Sequence, residues 1–362
     1  MIIDNWYLEN LVCPRDHARL EVSAHSLACP FGHSYPVVDG VPVLLLEDIE
    51  QTLECVHSSI KYAHLHATGL TSEHGLFVES IGLTQNQQRQ ILALASTTHS
   101  QVDPAVSHLI GATNGIAYRQ LEGKLKEYPI PALRLPQGRG KRLLDMGCNW
   151  GRWCIAAARK GYLPVGIDPS LGAIMAAKRV AGQMGLDIKF VVGDARHLPF
   201  PSSSFDVVFS YSVLQHFSKE DAAKAIAHAG RVLVDGGTSL IQMPTVFGVR
   251  CLYHQARRQF RPATDFEVRY WTVPALRRIF TASVGPSHIM VDCYFGIGLQ
   301  PADWRFMPLH IKAAITLSEL LRRTAQVLPP LTYLADSVYI RSVKIPTHEC
   351  EDKGTALQTS CR

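Results

Sequence analysis

Long apolar runs are missing from this 362-residue sequence: no stretch reaches the roughly 18 uninterrupted apolar residues that a membrane-spanning helix requires. The opening residues, MIIDNWYLENLVCP, lack the basic region, apolar core and small-residue cleavage site of a secretory signal. Cysteine is sparse and odd in number. The nine cysteines, at 13, 29, 55, 148, 154, 251, 293, 350 and 361, do not form the dense, even pattern of a disulfide-stapled secreted domain. These absences lead us to expect a cytoplasmic protein without a transmembrane segment. Excess charge is scarce too, since the net value is only +5, too mild to imply a nucleic-acid or membrane partner. What remains, 47% hydrophobic and 19% charged, is the balance of a globular chain long enough for two or three folding units.

Three compositions follow one another. Residues 1–50 hold two cations, Arg15 and Arg19, against eight acids, so they carry about −6. Short β-type runs, LEVSA and VPVLLL, separated by Pro and Gly turns, predict a small β-rich module there. Residues 51–140 read as a helical spacer and entry segment, with helix starts at Thr84 and at Asp103 before Pro104. The three prolines and the glycine of YPIPALRLPQGR require the end of that segment to be extended or turned. Over 141–345 apolar strands alternate with helix-like stretches, which predicts an α/β fold with a doubly wound, mostly parallel sheet. Within it, 245–285 is too long for an ordinary loop and is expected to form a helical lid. Residues 346–362 are expected to be a disordered tail. From 236 to 344 stand 13 cations against six acids, about +7. That surplus predicts either solvated helix faces or attraction for an anionic acceptor. The amphipathic stretch HIKAAITLSELLRRTAQVL is expected to be a packed helix rather than a membrane anchor.

The chemistry concentrates where the first strand of the α/β part ends. LLDMGCNWGRW sets Asp145, Gly147, Asn149 and Gly151 at a strand-to-helix turn, where glycine lets backbone approach a ligand and the helix behind offers free N–H groups. The next strand, LPVGID, ends in Asp168, suited to accept two hydrogen bonds from ribose hydroxyls. The third, IKFVVGD, ends in Asp194, followed by Ala195, a carboxylate and a backbone N–H able to read an adenine edge. No lysine follows the glycines, as a triphosphate-binding loop would require; Gly151 precedes Arg152 and Trp153. Acids crowding a ligand suit one that is cationic and lacks phosphates, and S-adenosylmethionine is both.

Residues 141 to about 245 resemble the class I S-adenosylmethionine-dependent methyltransferases. LLDMGCNWG is similar to their first motif, GID to their ribose-binding acid, GDARHLPF to their adenine-contacting turn and FDVVFSYSVLQHF to their fourth motif. The resemblance implies a seven-stranded Rossmann-like sheet. It also implies that Asp145, Gly147 and Gly151 border the methionine moiety, Asp168 the ribose, Asp194 and Ala195 the adenine, and Ser210 and Tyr211 the sulfonium and acceptor. Asn149 stands where the family's loop usually has its middle glycine, a position that asparagine tolerates because it accepts positive φ. His216, in SVLQHF, is a candidate general base, or alternatively a locally bonded helix-start histidine. Tyr211 is a candidate for orienting the acceptor or covering the cofactor.

At the N-terminus CPRDH and CPFGH repeat one spacing, Cys13 to His17 and Cys29 to His33. Two Cys-Pro knuckles, each with a second ligand, can complete a tetrahedral zinc site, with Asp16 competing with His17 for the fourth place. A module of about 50 residues has little core, so structural zinc would supply folding energy it otherwise lacks. The segment resembles the zinc ribbons of the tRNA-methyltransferase activator family and of the bacterial ribosomal-RNA guanine-N1 methyltransferases. A cysteine usually stands in those families where Asp16 does here. The leading expectation is a methyltransferase for a small-molecule, glycan or lipid-linked acceptor, with the ribbon as a structural or protein-docking module. The alternatives are RNA methylation guided by the ribbon, against which its −6 charge argues, and a non-catalytic S-adenosylmethionine-binding scaffold.

Overall fold

A computed structural model of the chain describes residues 3–24, 26–51, 53–70, 75–96 and 101–346. From residue 347 on, the expected tail lies outside the described residues. The strands are β1 (Glu21–Ser23), β2 (Ser26–Ala28), β3 (Ser34–Val38), β4 (Val41–Leu44), β5 (Arg142–Met146), β6 (Leu163–Asp168), β7 (Lys189–Gly193), β8 (Phe205–Ser210), β9 (Leu233–Pro244), β10 (Ser287–Cys293) and β11 (Ser337–Val343). The helices are α1 (Asn5–Asn10), α2 (Glu54–Ala67), α3 (Gln85–Ala95), α4 (Pro104–Thr113), α5 (Arg152–Arg159), α6 (Leu171–Gln183), α7 (Lys219–Val232), α8 (Val249–Arg257), α9 (Val273–Ser283) and α10 (Leu309–Thr324).

One mixed sheet runs through the molecule in the order β1-β2-β3-β4-β7-β6-β5-β8-β9-β11-β10. The sheet therefore has eleven strands where seven were expected. The cause is local: all four residues of β4 are buried, and β4 pairs in parallel with β7, Val43 opposite Val192 and Leu44 opposite Gly193. An apolar strand such as VPVL has no stable edge position in water, so it continues the main sheet instead of closing a separate module. Strands β7, β6, β5, β8 and β9 are parallel neighbours, and β11 returns antiparallel between β9 and β10. Central strands read as continuous apolar runs because helices cover both faces.

The spacer packs onto this sheet through α6. The Leu171 N–H, at the start of α6, donates to Ser59 Oγ of α2 at 2.8 Å. Arg179 of α6 pairs with Asp103, the cap of α4, at 2.7 Å. The predicted helix starts are present: Thr84 and Gln87 form a reciprocal capping box on α3, and Asp103 accepts from Val106 N at α4. The proline-rich entry strand buries Leu133 and Leu135 on the sheet face and is held there by Lys160, which donates to their carbonyls. Within the stretch expected to form a lid, α8 buries Cys251 and leaves Leu252 and Tyr253 exposed. Helix α9 buries Val273, Leu276 and Phe280 and belongs to the layer covering the sheet. Among the described residues no helix is long and apolar enough to cross a membrane.

Candidate active site

The parallel strands deliver their acids to one edge, the carboxyl ends, where open α/β sheets bind ligands. Between β5 and α5 the loop winds through three left-handed residues: Gly147 at φ 77°, Asn149 at 49° and Gly151 at 80°. A Cβ on Gly147 would lie 2.2 Å from Val213 Cγ2, so only glycine fits under the segment that follows β8. Asn149 adopts the positive φ expected of it, and its Oδ1 accepts from Trp150 N at 2.8 Å. That bond turns its side chain onto its own loop.

Asp168, at the tip of β6, accepts from Asn149 N at 2.9 Å through one oxygen and from Ser170 N at 3.0 Å through the other. The loop and the ribose-type acid are thus braced together, and each carboxylate oxygen keeps a lone pair for a ligand. Burial pushes this carboxyl up to about 6 against the two backbone donors. Asp145 is fully buried. One of its oxygens accepts from Cys154 Sγ at 3.3 Å, and the other has no hydrogen-bond partner. Burial raises its pKa to about 7, helped by the neighbouring Asp168 charge. A buried carboxylate oxygen left open beside a glycine loop fits a ligand that brings its own N–H donors, as the methionine end of S-adenosylmethionine does.

Asp194, after β7, is buried and held by Arg196: the guanidinium Nε and Nη2 reach its oxygens at 3.0 and 2.7 Å, and Arg196 N donates to it at 2.8 Å. The same guanidinium donates to Gln51 Oε1 at 2.8 Å and to the Glu50 carbonyl at 3.3 Å. The connector after the N-terminal module is thereby tied to the turn that follows β7. Ala195 is buried at the start of that turn. Ser210 is buried with its hydroxyl donating to the Met146 carbonyl at 2.8 Å. Its side chain is thus spent joining β8 to β5 rather than facing a ligand.

Tyr211 stands at the end of β8 between the Trp153 ring, 4.9 Å away, and that of Tyr339, 6.0 Å away, with the Arg152 guanidinium over it at 5.7 Å. Its phenol donates to Asp292 Oδ2 at 3.1 Å. Asp292, buried near the end of β10, also accepts from Ser337 Oγ at 2.8 Å and from Arg134 at 3.2 Å. Sequence reasoning missed Asp292, Arg134 and Gln51, since their roles depend on contacts between residues far apart in the chain. Arg196 was visible in GDARHLPF but carried no separate signal.

His216 stacks flat on Phe266, centroids 3.8 Å apart. Its Nδ1 lies 2.8 Å from the Phe266 carbonyl, which fixes the proton on Nδ1 and leaves Nε2 facing the Gln215 amide at 3.2 Å. Arg269 completes the clasp, its N–H donating to the Gln215 carbonyl and its guanidinium to the His216 carbonyl. Burial lowers the imidazole pKa to about 4, a weak base near neutrality. These contacts tie His216 to the loop around Phe266.

At the N-terminus Cys13, Asp16, Cys29 and His33 converge, with ligand atoms all within 4.8 Å of one another. Cys13 Sγ and Cys29 Sγ lie 3.6 and 3.3 Å from His33 Nδ1, and Asp16 Oδ2 lies 2.8 Å from it. His17 is not in the cluster. The turn puts it at φ 59°, with its ring 6.1 Å from that of His228, while Asp16 points inward and also caps Ala18 N.

Residues 143–237 match the family model described as a methyltransferase domain. Ajmaline N-methyltransferase of Rauvolfia serpentina is 34% identical over 109 residues, 29% of this chain and 37% of that protein. Ubiquinone biosynthesis O-methyltransferase of Brucella anthropi is 40% identical over 82 residues, 23% of this chain and 33% of that protein. The match thus spans about a third of each relative's length. Among solved structures, Haemonchus contortus phosphoethanolamine N-methyltransferase 2 in complex with S-adenosyl-L-methionine is 19% identical, with a TM-score of 0.41 covering 58% of this chain and 50% of that one. With its parallel strands, glycine loop and strand-tip acids, the segment 143–237 is a class I S-adenosylmethionine-dependent methyltransferase domain.

Proposed function

We propose that the chain transfers a methyl group from S-adenosylmethionine to a small-molecule, glycan or lipid-linked acceptor. The observation that carries this reading is the braced pair at the carboxyl edge: Asp168 bridging Asn149 N and Ser170 N, beside the unpartnered oxygen of buried Asp145. When bound, S-adenosylmethionine supplies an electrophilic methyl on a sulfonium. Asp168 would hold the ribose hydroxyls through its remaining lone pairs, Asp145 and the Gly147–Gly151 loop the methionine end, and Asp194 with Ala195 the adenine. Tyr211, pinned by Asp292, would position the acceptor against Trp153 in a site that excludes water. Most of the acceleration in such a displacement comes from holding nucleophile and methyl close and aligned. The low basicity of His216 favours an acceptor that arrives unprotonated or loses its proton to solvent. The names of the relatives, an alkaloid N-methyltransferase and a quinone-pathway O-methyltransferase, support a small-molecule acceptor over RNA.

For the N-terminal cluster the proposal is a structural zinc held by Cys13, Asp16, Cys29 and His33. In a tetrahedral site with Zn–S near 2.3 Å and Zn–N near 2.0 Å, sulfur and nitrogen ligands stand about 3.5 Å apart. The Cys-to-His separations of 3.6 and 3.3 Å fit that geometry.

Transfer of label from S-adenosylmethionine carrying a tritiated methyl group into fractionated cell extract tests the acceptor class. Label should enter the small-molecule or lipid fraction; label confined to RNA or protein would overturn the assignment.

A further inference from the structure

Helix α10 has two apolar faces, and the fold uses one of them. Ile315, Ser318 and Ala325 are buried, and Ile311 and Leu321 pack beside them; Tyr294 N, just past β10, donates to Ser318 Oγ at 2.9 Å. On the opposite side Leu309, Leu317 and Leu320 are 83%, 48% and 60% exposed. Ala313 and Thr316 lie between them in a shallow groove closed by Trp304, itself half exposed. At 100° per residue, positions 309, 313, 316, 317 and 320 occupy one stripe about 100° wide. Val327 and Leu328 continue the exposed apolar surface just past the helix end.

The stripe is edged with positive charge. On the helical wheel Lys312 and Arg323 border one side, and Lys312 sits over the Trp304 ring at 5.8 Å. Arg305 adjoins Trp304 and is paired with Glu127 at 3.1 Å. The acids of 301–334 are Asp303 and Glu319. Asp303 is buried and accepts from Gln300 N and Tyr118 Oη, and Glu319 is bonded to Arg322 and Arg323. These acids and Glu127 are all paired, and the positive surplus at the rim is Lys312 together with the excess of Arg322 and Arg323 over the single Glu319.

We propose that this face of α10 docks on the anionic surface of a lipid bilayer. Leucines and tryptophan bordered by Lys and Arg match the boundary between acyl chains and negatively charged headgroups. The charge argues against a second copy as the occupant, since a two-fold contact through the same stripe would bring Lys312 and Arg323 of both chains together. The surface is independent of the methyl-transfer reading.

Co-sedimentation of the full chain with vesicles tests it, using phosphatidylcholine alone and phosphatidylcholine with about one third phosphatidylglycerol. The chain should pellet with the anionic vesicles in low salt and remain in solution with the neutral ones. Leu317→Glu combined with Leu320→Glu should weaken that binding roughly tenfold or more, and Lys312→Ala with Arg323→Ala should remove the preference for anionic lipid. These side chains face solvent, so an unchanged thermal midpoint is the folding control; should the double variant misfold, Leu309→Gln at the most exposed position carries the same test. Failure to pellet with anionic vesicles, or undiminished binding by the leucine variants, overturns the proposal. So does a concentration-dependent dimer that the Leu317→Glu, Leu320→Glu variant abolishes without any vesicle binding.

Discussion

Replacing Arg196 by Met removes one side chain that serves both the adenine-side acid and the N-terminal connector. In the intact protein Asp194 is buried and accepts from Arg196 Nε, Nη2 and the backbone N–H. Methionine keeps the apolar stem and the backbone bond but deletes the guanidinium, so the carboxylate stays buried with its charge unpaired. Breaking one partner of a buried ion pair costs about 3–5 kcal/mol. At roughly 2.1 cal/mol/K of unfolding entropy per residue, a chain of 362 residues shifts by about 1.3 °C per kcal/mol, so the thermal midpoint should fall by roughly 4–7 °C. Because Asp194 then loses its fixed orientation, KM for S-adenosylmethionine should rise about tenfold while kcat changes less than about twofold. Arg196→Lys restores charge without the planar fork and should fall between the two. Gln51→Ala should reproduce a smaller part of the KM effect by freeing Nη2 from the connector. Differential scanning calorimetry and initial-rate kinetics read both quantities. A midpoint within about 2 °C of wild type, or a kcat loss with unchanged KM, is incompatible with Arg196 holding Asp194 in place.

Three further outcomes follow from the same geometry. Buried Asp145 and Asp168 have raised pKa values, about 7 and about 6, so the unliganded protein holds their protons more tightly than the unfolded chain does and loses stability as pH rises from about 4 through 7. A ligand that bonds to their ionised forms reverses this, and calorimetric affinity for S-adenosylmethionine should tighten from pH 6 to pH 8, with a shallower slope in Asp145→Asn. Tyr211→Phe, which removes one donor to Asp292, should lower kcat by about tenfold with KM for S-adenosylmethionine within about twofold, as for a group acting on the acceptor side. The purified protein should contain close to one zinc per chain by atomic absorption, and its removal by a chelator should lower the thermal midpoint and raise KM for S-adenosylmethionine, because β4 of that module is paired to β7.

The catalytic half was legible because its signals are local. Each strand-tip acid sits beside its own strand in sequence, and the positive φ of Asn149 follows from residue type. The caps at Thr84 and Asp103 were readable for the same reason. Pairing between distant segments was not. Nothing in VPVL states that it will lie against KFVVG rather than close its own small sheet, and nothing near Asp292 announces Tyr211 and Arg134 as its partners. His17 and Asp16 adjoin in sequence, and only the turn conformation decides which faces the cysteines. The amphipathic stretch of α10 was expected to be a packed helix, and half of that expectation holds. Periodicity reveals apolar positions but cannot tell one covered face from two when both are apolar.

Calorimetric titration with S-adenosylmethionine probes the site built on Asp168 and the glycine loop without intervening steps. Binding should be saturable at one site per chain and weakened about a hundredfold or more by Asp168→Ala, since two hydrogen bonds to a charged acceptor are worth about 1.5–3 kcal/mol each. Absence of binding by the wild-type protein, or equal binding by the folded Asp168→Ala variant, would contradict it.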